Sequence, residues 1–212
     1  MSKYSLQVIS LNKSFGRRLI FKDLDFKIED YGIIGISGPN GSGKSTLVKI
    51  LAGVDSPTSG KVIHIEEGKE ILPDKLHNHI GFVSPYLILY EEFSAWENLN
   101  HFAKIRDVKF NNEKIEYLLN QFLLFDRRND YVKTYSSGMK QRLKFIFALM
   151  HSPQLIILDE PTSNLDAEGK NSVYKIIEEE SKSGIVIIAS NEKADLSLCI
   201  KEIKLQEYKN NK

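Results

Sequence analysis

"YGIIGISGPNGSGKSTLVKILAG", residues 31–53, decides how the chain is organised. Its opening "YGIIGIS" is continuously apolar in character, as a central parallel strand buried on both faces should be. A Gly-rich turn follows, then "KSTLVKILAG", a helical stretch closed by Gly53. Within it "GPNGSGKST", residues 38–46, fits G-x-x-x-x-G-K-[ST] in the strand-to-helix setting that the motif requires. In such a loop Gly38, Gly41 and Gly43 let the backbone turn its N–H groups around a phosphate chain, and Pro39, Asn40, Ser42 and Thr46 complete the cradle. The helix N-terminus adds positive potential, Lys44 reaches the outer phosphates, and Ser45 places its hydroxyl on Mg²⁺. A nucleotide is implied.

Two other strand ends belong with this loop. "LIILDE", residues 155–160, is a buried strand with two carboxylates at its tip. Asp159 can hold Mg²⁺ through a water, and Glu160 can polarise the water that attacks the γ-phosphate. Adjacent acids also suit a solvated loop start, but a phosphate loop in the same chain favours the site. "GIVIIASNEK", residues 184–193, ends an apolar run in Ser190, Asn191 and Glu192. Open α/β sheets bind ligands at the C-terminal ends of their strands, so Asn191 is expected to reach a ligand site.

The remaining pattern predicts an α/β fold. "LDFKIE" alternates Leu24, Phe26 and Ile28 with charged residues, the period of a half-buried antiparallel strand. "DSPTSGKVIHI" reads as a turn and a strand, and "HIGFVS" as a short strand. From about Ser94 to Leu149 the chain reads as mostly helical, starting with a capping box in "SAWE" between Ser94 and Glu97. "QLIILDE", a helix through "NSVYKIIEEE", and "GIVIIAS" add further βα units to a mostly parallel core sheet.

Composition sets limits on function. The chain has 212 residues, of which 42% are hydrophobic, enough for a core without covalent staples. With 29 Lys+Arg against 28 Asp+Glu, the formal charge of +1 gives no basic field, so no nucleic-acid partner is expected. The single cysteine, Cys199, leaves no internal disulfide and suits a reducing compartment. "MSKYSLQVIS" has no apolar leader, no run is long enough to cross a bilayer, and a chain soluble by itself is expected. The polar tail "EYKNNK" is expected to fray.

A phosphate loop alone does not distinguish kinases, GTPases and motors. "YSSGMKQRLKFIFALMHSPQLIILDEPTSNLD", residues 135–166, resembles the diagnostic stretch of ATP-binding cassette (ABC) ATPases: a signature of the L-S-G-G-Q kind, the magnesium strand, and a loop of the S-A-L-D kind. The likeness extends to "SFGRRLIFKDLDF" and "DSPTSGKV" on either side of the phosphate loop. It implies a single cassette domain over residues 1–212: a P-loop NTPase of ABC type with an N-terminal antiparallel β subdomain and a helical lobe at about 86–150. In the signature, Ser136 can cap a helix whose apolar face is Met139, Leu143, Ile146 and Met150, leaving a positive helix end for an anion. The resemblance makes that anion the γ-phosphate held by another subunit. Ser136 and Gly138 of one chain then face Lys44 of the other across two enclosed ATP molecules. Phe15 matches the family's adenine-stacking aromatic, although one aromatic near a strand also suits a core. Ser163 to Asp166 match the loop at the dimer interface, and Asp166 also suits a helix cap.

The chain departs from the family at three places. The family's His after the magnesium strand is Asn191 here, an amide that can donate a hydrogen bond but carries no charge. The family's Mg²⁺-contacting Gln aligns with Pro85, which has no side-chain ligand. The signature reads Tyr135, Ser136, Ser137, Gly138, Met139 and so lacks its first Gly and its Gln. The resemblance implies Glu160, Lys44 and Asn191 as the catalytic residues; hydrolysis driven by Glu160, Lys44 and Mg²⁺, with Asn191 as a neutral contact, is favoured over slow turnover, because phosphate loop and catalytic carboxylate are intact.

The chain is also similar to small cassette subunits of the haem-exporter, cytochrome c maturation type. The resemblance implies an ATPase that pairs with a second cassette, as homodimer or heterodimer, and drives a transmembrane permease subunit. The expected location is cytoplasmic, peripheral on the inner face of the cell membrane. The alternative is a non-transport cassette or slow ATP switch acting on a protein complex; the double cassettes and coiled-coil insertions of such members do not occur here. His64, His77, His79 and His101 lack a metal-ligand pattern and read as surface or core histidines. Tyr90, Phe93 and Trp96 either line a groove for a permease helix or pack the helical lobe.

Overall fold

The computed structural model describes residues 4–209. Two sheets share the work. The first is antiparallel, in the order β2-β1-β4-β5, from β1 (Tyr4–Phe15), β2 (Arg18–Ile28), β4 (Ser59–Glu66) and β5 (Lys69–Glu70). The second is parallel, in the order β6-β7-β8-β3-β9, from β3 (Gly32–Ser37), β6 (Ile80–Val83), β7 (Leu155–Asp159), β8 (Ile185–Ala189) and β9 (Lys201–Lys204). The helices are α1 (Lys44–Leu51), α2 (Ala95–Ile105), α3 (Asn112–Gln121), α4 (Ser137–Leu149), α5 (Ala167–Glu180) and α6 (Lys193–Leu196).

The continuous apolar strands are explained by burial on both faces. On β7, Ile156 and Leu158 join a core shared with α3, α4 and α5. Their neighbours Leu155 and Ile157 join a second core with α1 and the antiparallel sheet. β8 divides in the same way, Val186 and Ile188 against Ile185 and Ile187. With side chains alternating across the pleat, every position must be apolar when both faces are covered.

Helices α2, α3 and α4 follow β6 and precede β7, the span read as helical. The capping box forms: the Ser94 hydroxyl accepts from the Glu97 N–H at 3.2 Å, and Glu97 accepts from the Ser94 N–H at 2.8 Å. Asn111, Ser136 and Asp166 cap α3, α4 and α5 by a single bond, each side-chain oxygen accepting from the N–H three residues on. Gly81 lets α4 lie close on the sheet, since a Cβ there would stand 2.3 Å from the carbonyl oxygen of Ala148.

Two features differ from the sequence expectation. β9 was not foreseen, because a short edge strand with exposed Lys201, Glu202 and Lys204 carries only Ile203 as an apolar signal. The second is at the tail: Leu205–Tyr208 form a 3₁₀ turn with Leu205 buried, Tyr208 packs on the core, and the Lys209 ammonium lies 3.4 Å from the Gly41 carbonyl. A few apolar contacts suffice to hold a polar tail that composition alone reads as frayed. Residues 210–212 of that tail lie outside the described residues.

Candidate nucleotide-binding and hydrolytic site

The C-terminal ends of β3, β7 and β8 converge because these strands are neighbours running in one direction. The loop after β3 leads directly into α1, and Gly43 makes the turn at φ 107°. Any side chain there would clash, since a Cβ would stand 2.4 Å from Ile20. Among the described residues, α1 is the one helix of eight residues or more without a side-chain cap, so its free N–H groups face the loop rather than a capping side chain.

A cleft of about 480 Å³ opens over this helix end. It is lined by Asn40, Gly41, Gly43, Lys44, Ser45 and Thr46 below, by Asp159 and Glu160 at the back, and by Phe15, Arg18, Ile20, Pro85 and Tyr86 at the sides. Gly38, Pro39 and Ser42 shape the loop itself: the Pro39 carbonyl accepts from the Ser42 N–H at 3.0 Å.

Lys44 is only 6% exposed, and its ammonium donates to the Gly38 carbonyl at 2.9 Å and lies 3.5 Å from Glu160 Oε1. A buried cation so placed presents its remaining charge to the cleft. Ser45 Oγ donates to Asp159 Oδ1 at 3.0 Å, and Asp159 Oδ2 is buried and takes no hydrogen bond. Burial raises the Asp159 pKa, with the Ser45 hydrogen bond, Lys49 and Lys44 opposing it. A buried carboxylate with an unpaired oxygen beside a hydroxyl is a donor set that fits a hard divalent cation such as Mg²⁺.

Glu160 follows β7 in a left-handed conformation, φ 49°, which turns its side chain over the cleft. Burial raises its pKa, against Lys44 and the Ser190 hydroxyl, which lies 3.3 Å from Oε2; neighbouring Asp159 adds to the rise. A more basic carboxylate is suited to take a proton from water.

Asn191 stands beyond β8, exposed, and does not line the cleft. Its amide donates to Asn40 Oδ1 at 2.9 Å, so it is tied to the phosphate loop from the side. Phe15 is 53% exposed on the cleft wall, which removes its core reading. Arg18, Ile20 and Tyr86 were missed by the sequence. Arg18 had a usable signal, since the tight "FGRR" hairpin pairs it directly with Phe15. Pro85 does line the cleft, and Lys144 of α4 donates to its carbonyl at 2.8 Å.

Ser136 and Gly138 lie apart from the cleft of their own chain. Ser136 Oγ accepts from the Met139 N–H at 3.2 Å, and Leu143, Ile146 and Met150 of the same helix are buried. Gly138 rests against the loop of Ser163 to Asp166, where its Cβ would come 3.3 Å from the Asn164 carbonyl oxygen. Asp166 caps α5 through the Gly169 N–H at 2.8 Å.

The histidines divide between surface and core, with His77 and His101 exposed. His64 is buried with Nδ1 2.7 Å from the Tyr4 hydroxyl, and burial lowers its pKa to about 4. Trp96 packs edge-on against Phe110, whereas Tyr90 and Phe93 are exposed at 58% and 39%. Among the described residues no helix is long and apolar enough to cross a membrane.

The chain matches the ABC transporter family over residues 21–163. It is 33% identical over 210 residues to an uncharacterised ABC transporter ATP-binding protein, YdbJ of Bacillus subtilis (strain 168), covering 98% of this chain and 68% of that protein. It is 38% identical over 186 residues to the lantibiotic transport ATP-binding protein SrtF of Streptococcus pyogenes, covering 88% of this chain and 79% of the relative. A putative ABC transporter ATP-binding protein from Pyrococcus furiosus superposes with a TM-score of 0.82 at 26% identity, covering 97% of this chain and all, 100%, of that one. The phosphate loop, the paired acids and the capped signature helix thus occur together in a chain that belongs to the ABC transporter family, as an ATP-binding ATPase subunit.

Proposed function

We propose that this cleft hydrolyses Mg-ATP with Lys44 and Glu160 as its central catalytic groups. The observation that carries the proposal is the buried Lys44 ammonium held 3.5 Å from Glu160, beside the Ser45–Asp159 hydrogen bond of 3.0 Å. Lys44 and the free N–H groups of α1 bind the outer phosphates, while Phe15 stacks on the adenine. Ser45 and Asp159 hold Mg²⁺, which supplies positive charge against the phosphate oxygens when bound. Glu160 orients a water for attack on the γ-phosphate and accepts its proton. Asn191 lies on the loop side of this group and contributes a neutral amide contact.

The family's transport role implies a transmembrane partner and paired ATPase subunits in general. More specifically, we read residues 1–212 as one cassette domain with a helical lobe at about 86–150. It pairs head to tail with a second copy or a homologue, whose Ser136 and Gly138 close the cleft. The complex would sit on the cytoplasmic face of the membrane against its permease. The relatives described above give the haem-exporter likeness no support, and cargo is left to the permease.

The test is steady-state ATP hydrolysis by the purified chain, with and without Mg²⁺, beside Glu160→Gln. Turnover that rises cooperatively with protein concentration and falls at least about 100-fold in the variant is expected. Tight ATP binding without turnover would replace this reading with that of an ATP switch.

A further inference from the structure

Asp195 of α6 is 1% exposed and carries hydrogen bonds from three hydroxyls. Thr162 Oγ1 and Tyr174 Oη donate to its Oδ1 at 2.9 and 2.8 Å, and Ser190 Oγ donates to its Oδ2 at 2.7 Å. Thr162 and Ser190 are themselves buried, at 1% and 0% exposure. A buried carboxylate of this kind is costly to keep, and the nucleotide chemistry described above makes no use of it.

Its partners are informative. Thr162 stands two residues beyond Glu160, in the turn that leads to the loop of Ser163 to Asp166. Ser190 closes β8, and its Oγ also lies 3.3 Å from Glu160 Oε2 and accepts from the Glu192 N–H at 3.0 Å. Glu160 itself is held in a left-handed conformation that a glutamate adopts only when its surroundings enforce it. Lys44 confronts one oxygen of Glu160 and Ser190 the other. The 2.7 Å bond to Asp195 fixes the Ser190 rotamer, and the 2.9 Å bond to Thr162 fixes the turn after Glu160.

We infer that Asp195 is a positioning residue for the catalytic carboxylate, fixing the Ser190 hydroxyl that faces Glu160 at 3.3 Å and the turn at Thr162 that follows it. The inference rests on the role proposed for Glu160. Asp195 touches neither substrate nor metal; it fixes where the Glu160 oxygens stand when water is to be oriented. A small displacement of a reacting group lowers the rate without weakening binding.

The experiment measures kcat, KM for ATP and thermal unfolding of the full chain as Ser190→Ala, Asp195→Asn, the double variant, Tyr174→Phe and Glu160→Gln. Each of Ser190→Ala and Asp195→Asn is expected to lower kcat by roughly tenfold, with KM for ATP within about twofold of the parent. The double variant should lose no more than the worse single one, because both break the same link. Tyr174→Phe removes an equally short hydrogen bond to the other oxygen and should keep kcat within about twofold. If Tyr174→Phe loses as much turnover as Asp195→Asn, or the two link variants add, or KM rises in step with the loss, Asp195 is a structural residue only. Should Asp195→Asn fail to fold, Ser190→Ala and Tyr174→Phe still decide. Parental turnover in Glu160→Gln would instead remove the proposed role of Glu160.

Discussion

The Asn191 amide donates a 2.9 Å hydrogen bond to the side-chain oxygen of Asn40, joining the end of β8 to the phosphate loop across 151 residues of sequence. Two neutral amides thereby tie the end of β8 to the loop before α1. An exposed amide pair of this type fixes geometry more than it adds stability.

Replacing Asn191 should therefore affect turnover more than folding. A neutral hydrogen bond contributes about 0.5–1.5 kcal/mol, so Asn191→Ala is expected to lower kcat by up to roughly tenfold. Unfolding temperature should hardly change. Kinetics beside a melting curve check this; an equal loss in KM alone would assign Asn191 to binding.

Asp159 keeps a buried, unpaired carboxylate oxygen whose pKa is raised by burial, so its ionised form destabilises the metal-free fold at neutral pH. Asp159→Asn removes that charge and should stabilise the protein without metal by about 1 kcal/mol, or about 2–4 °C in Tm. The same variant should lose most of the stabilisation that Mg²⁺ with ATP gives the parent. Calorimetry with and without Mg²⁺ tests both arms, and a lower Tm in metal-free buffer would contradict the argument.

Phe15 is exposed on the cleft wall, with the Lys13 ammonium 4.7 Å from its ring centre. Phe15→Ala should leave stability within about 0.5 kcal/mol of the parent, as for other surface changes. ATP affinity should fall by about 1–3 kcal/mol, the range for a base stacked on an aromatic ring. Equilibrium nucleotide binding and a denaturant melt separate the two effects. A large loss of stability with unchanged affinity would return Phe15 to a packing role.

His64 has its folded pKa lowered to about 4 by burial, against an ordinary value of 6.5. The unfolded chain then binds the proton first, so stability is fully present above pH 6.5 and is lost as pH falls from 6.5 toward 4. The loss from this one group reaches about 3 kcal/mol by the linkage arithmetic. His64→Gln should flatten the Tm profile over that window, even where it lowers Tm at pH 7. An unchanged pH slope would show that His64 protonates freely in the fold. His151, lowered to about 4 for the same first cause, contributes a parallel loss that the variant leaves in place.

The features that could be read from the sequence are those encoded within one turn of chain or one strand. Gly38, Gly41 and Gly43 with Lys44 announce a phosphate loop because only that spacing turns successive N–H groups inward. Ser94 with Glu97, Ser136 before Met139, and Asp166 before Gly169 are caps whose donor and acceptor are three residues apart. The alternating cores of β7 and β8 follow from apolar runs too regular for a one-sided strand.

Other relationships required the chain to be brought together. Arg18 and Tyr86 enter the cleft wall only because the antiparallel sheet and the turn after β6 meet over α1. Asp195 reads in sequence as an ordinary acid on a short helix, yet it gathers hydroxyls from three other segments. By itself the sequence determined where the Gly-rich turn, the paired acids and the helix caps lie, since these depend on local side-chain type and spacing. Only the tertiary structure decided that Asn191 would meet Asn40 and that Asp195 would meet Thr162, Tyr174 and Ser190, because contacts between distant segments are set by strand order and packing.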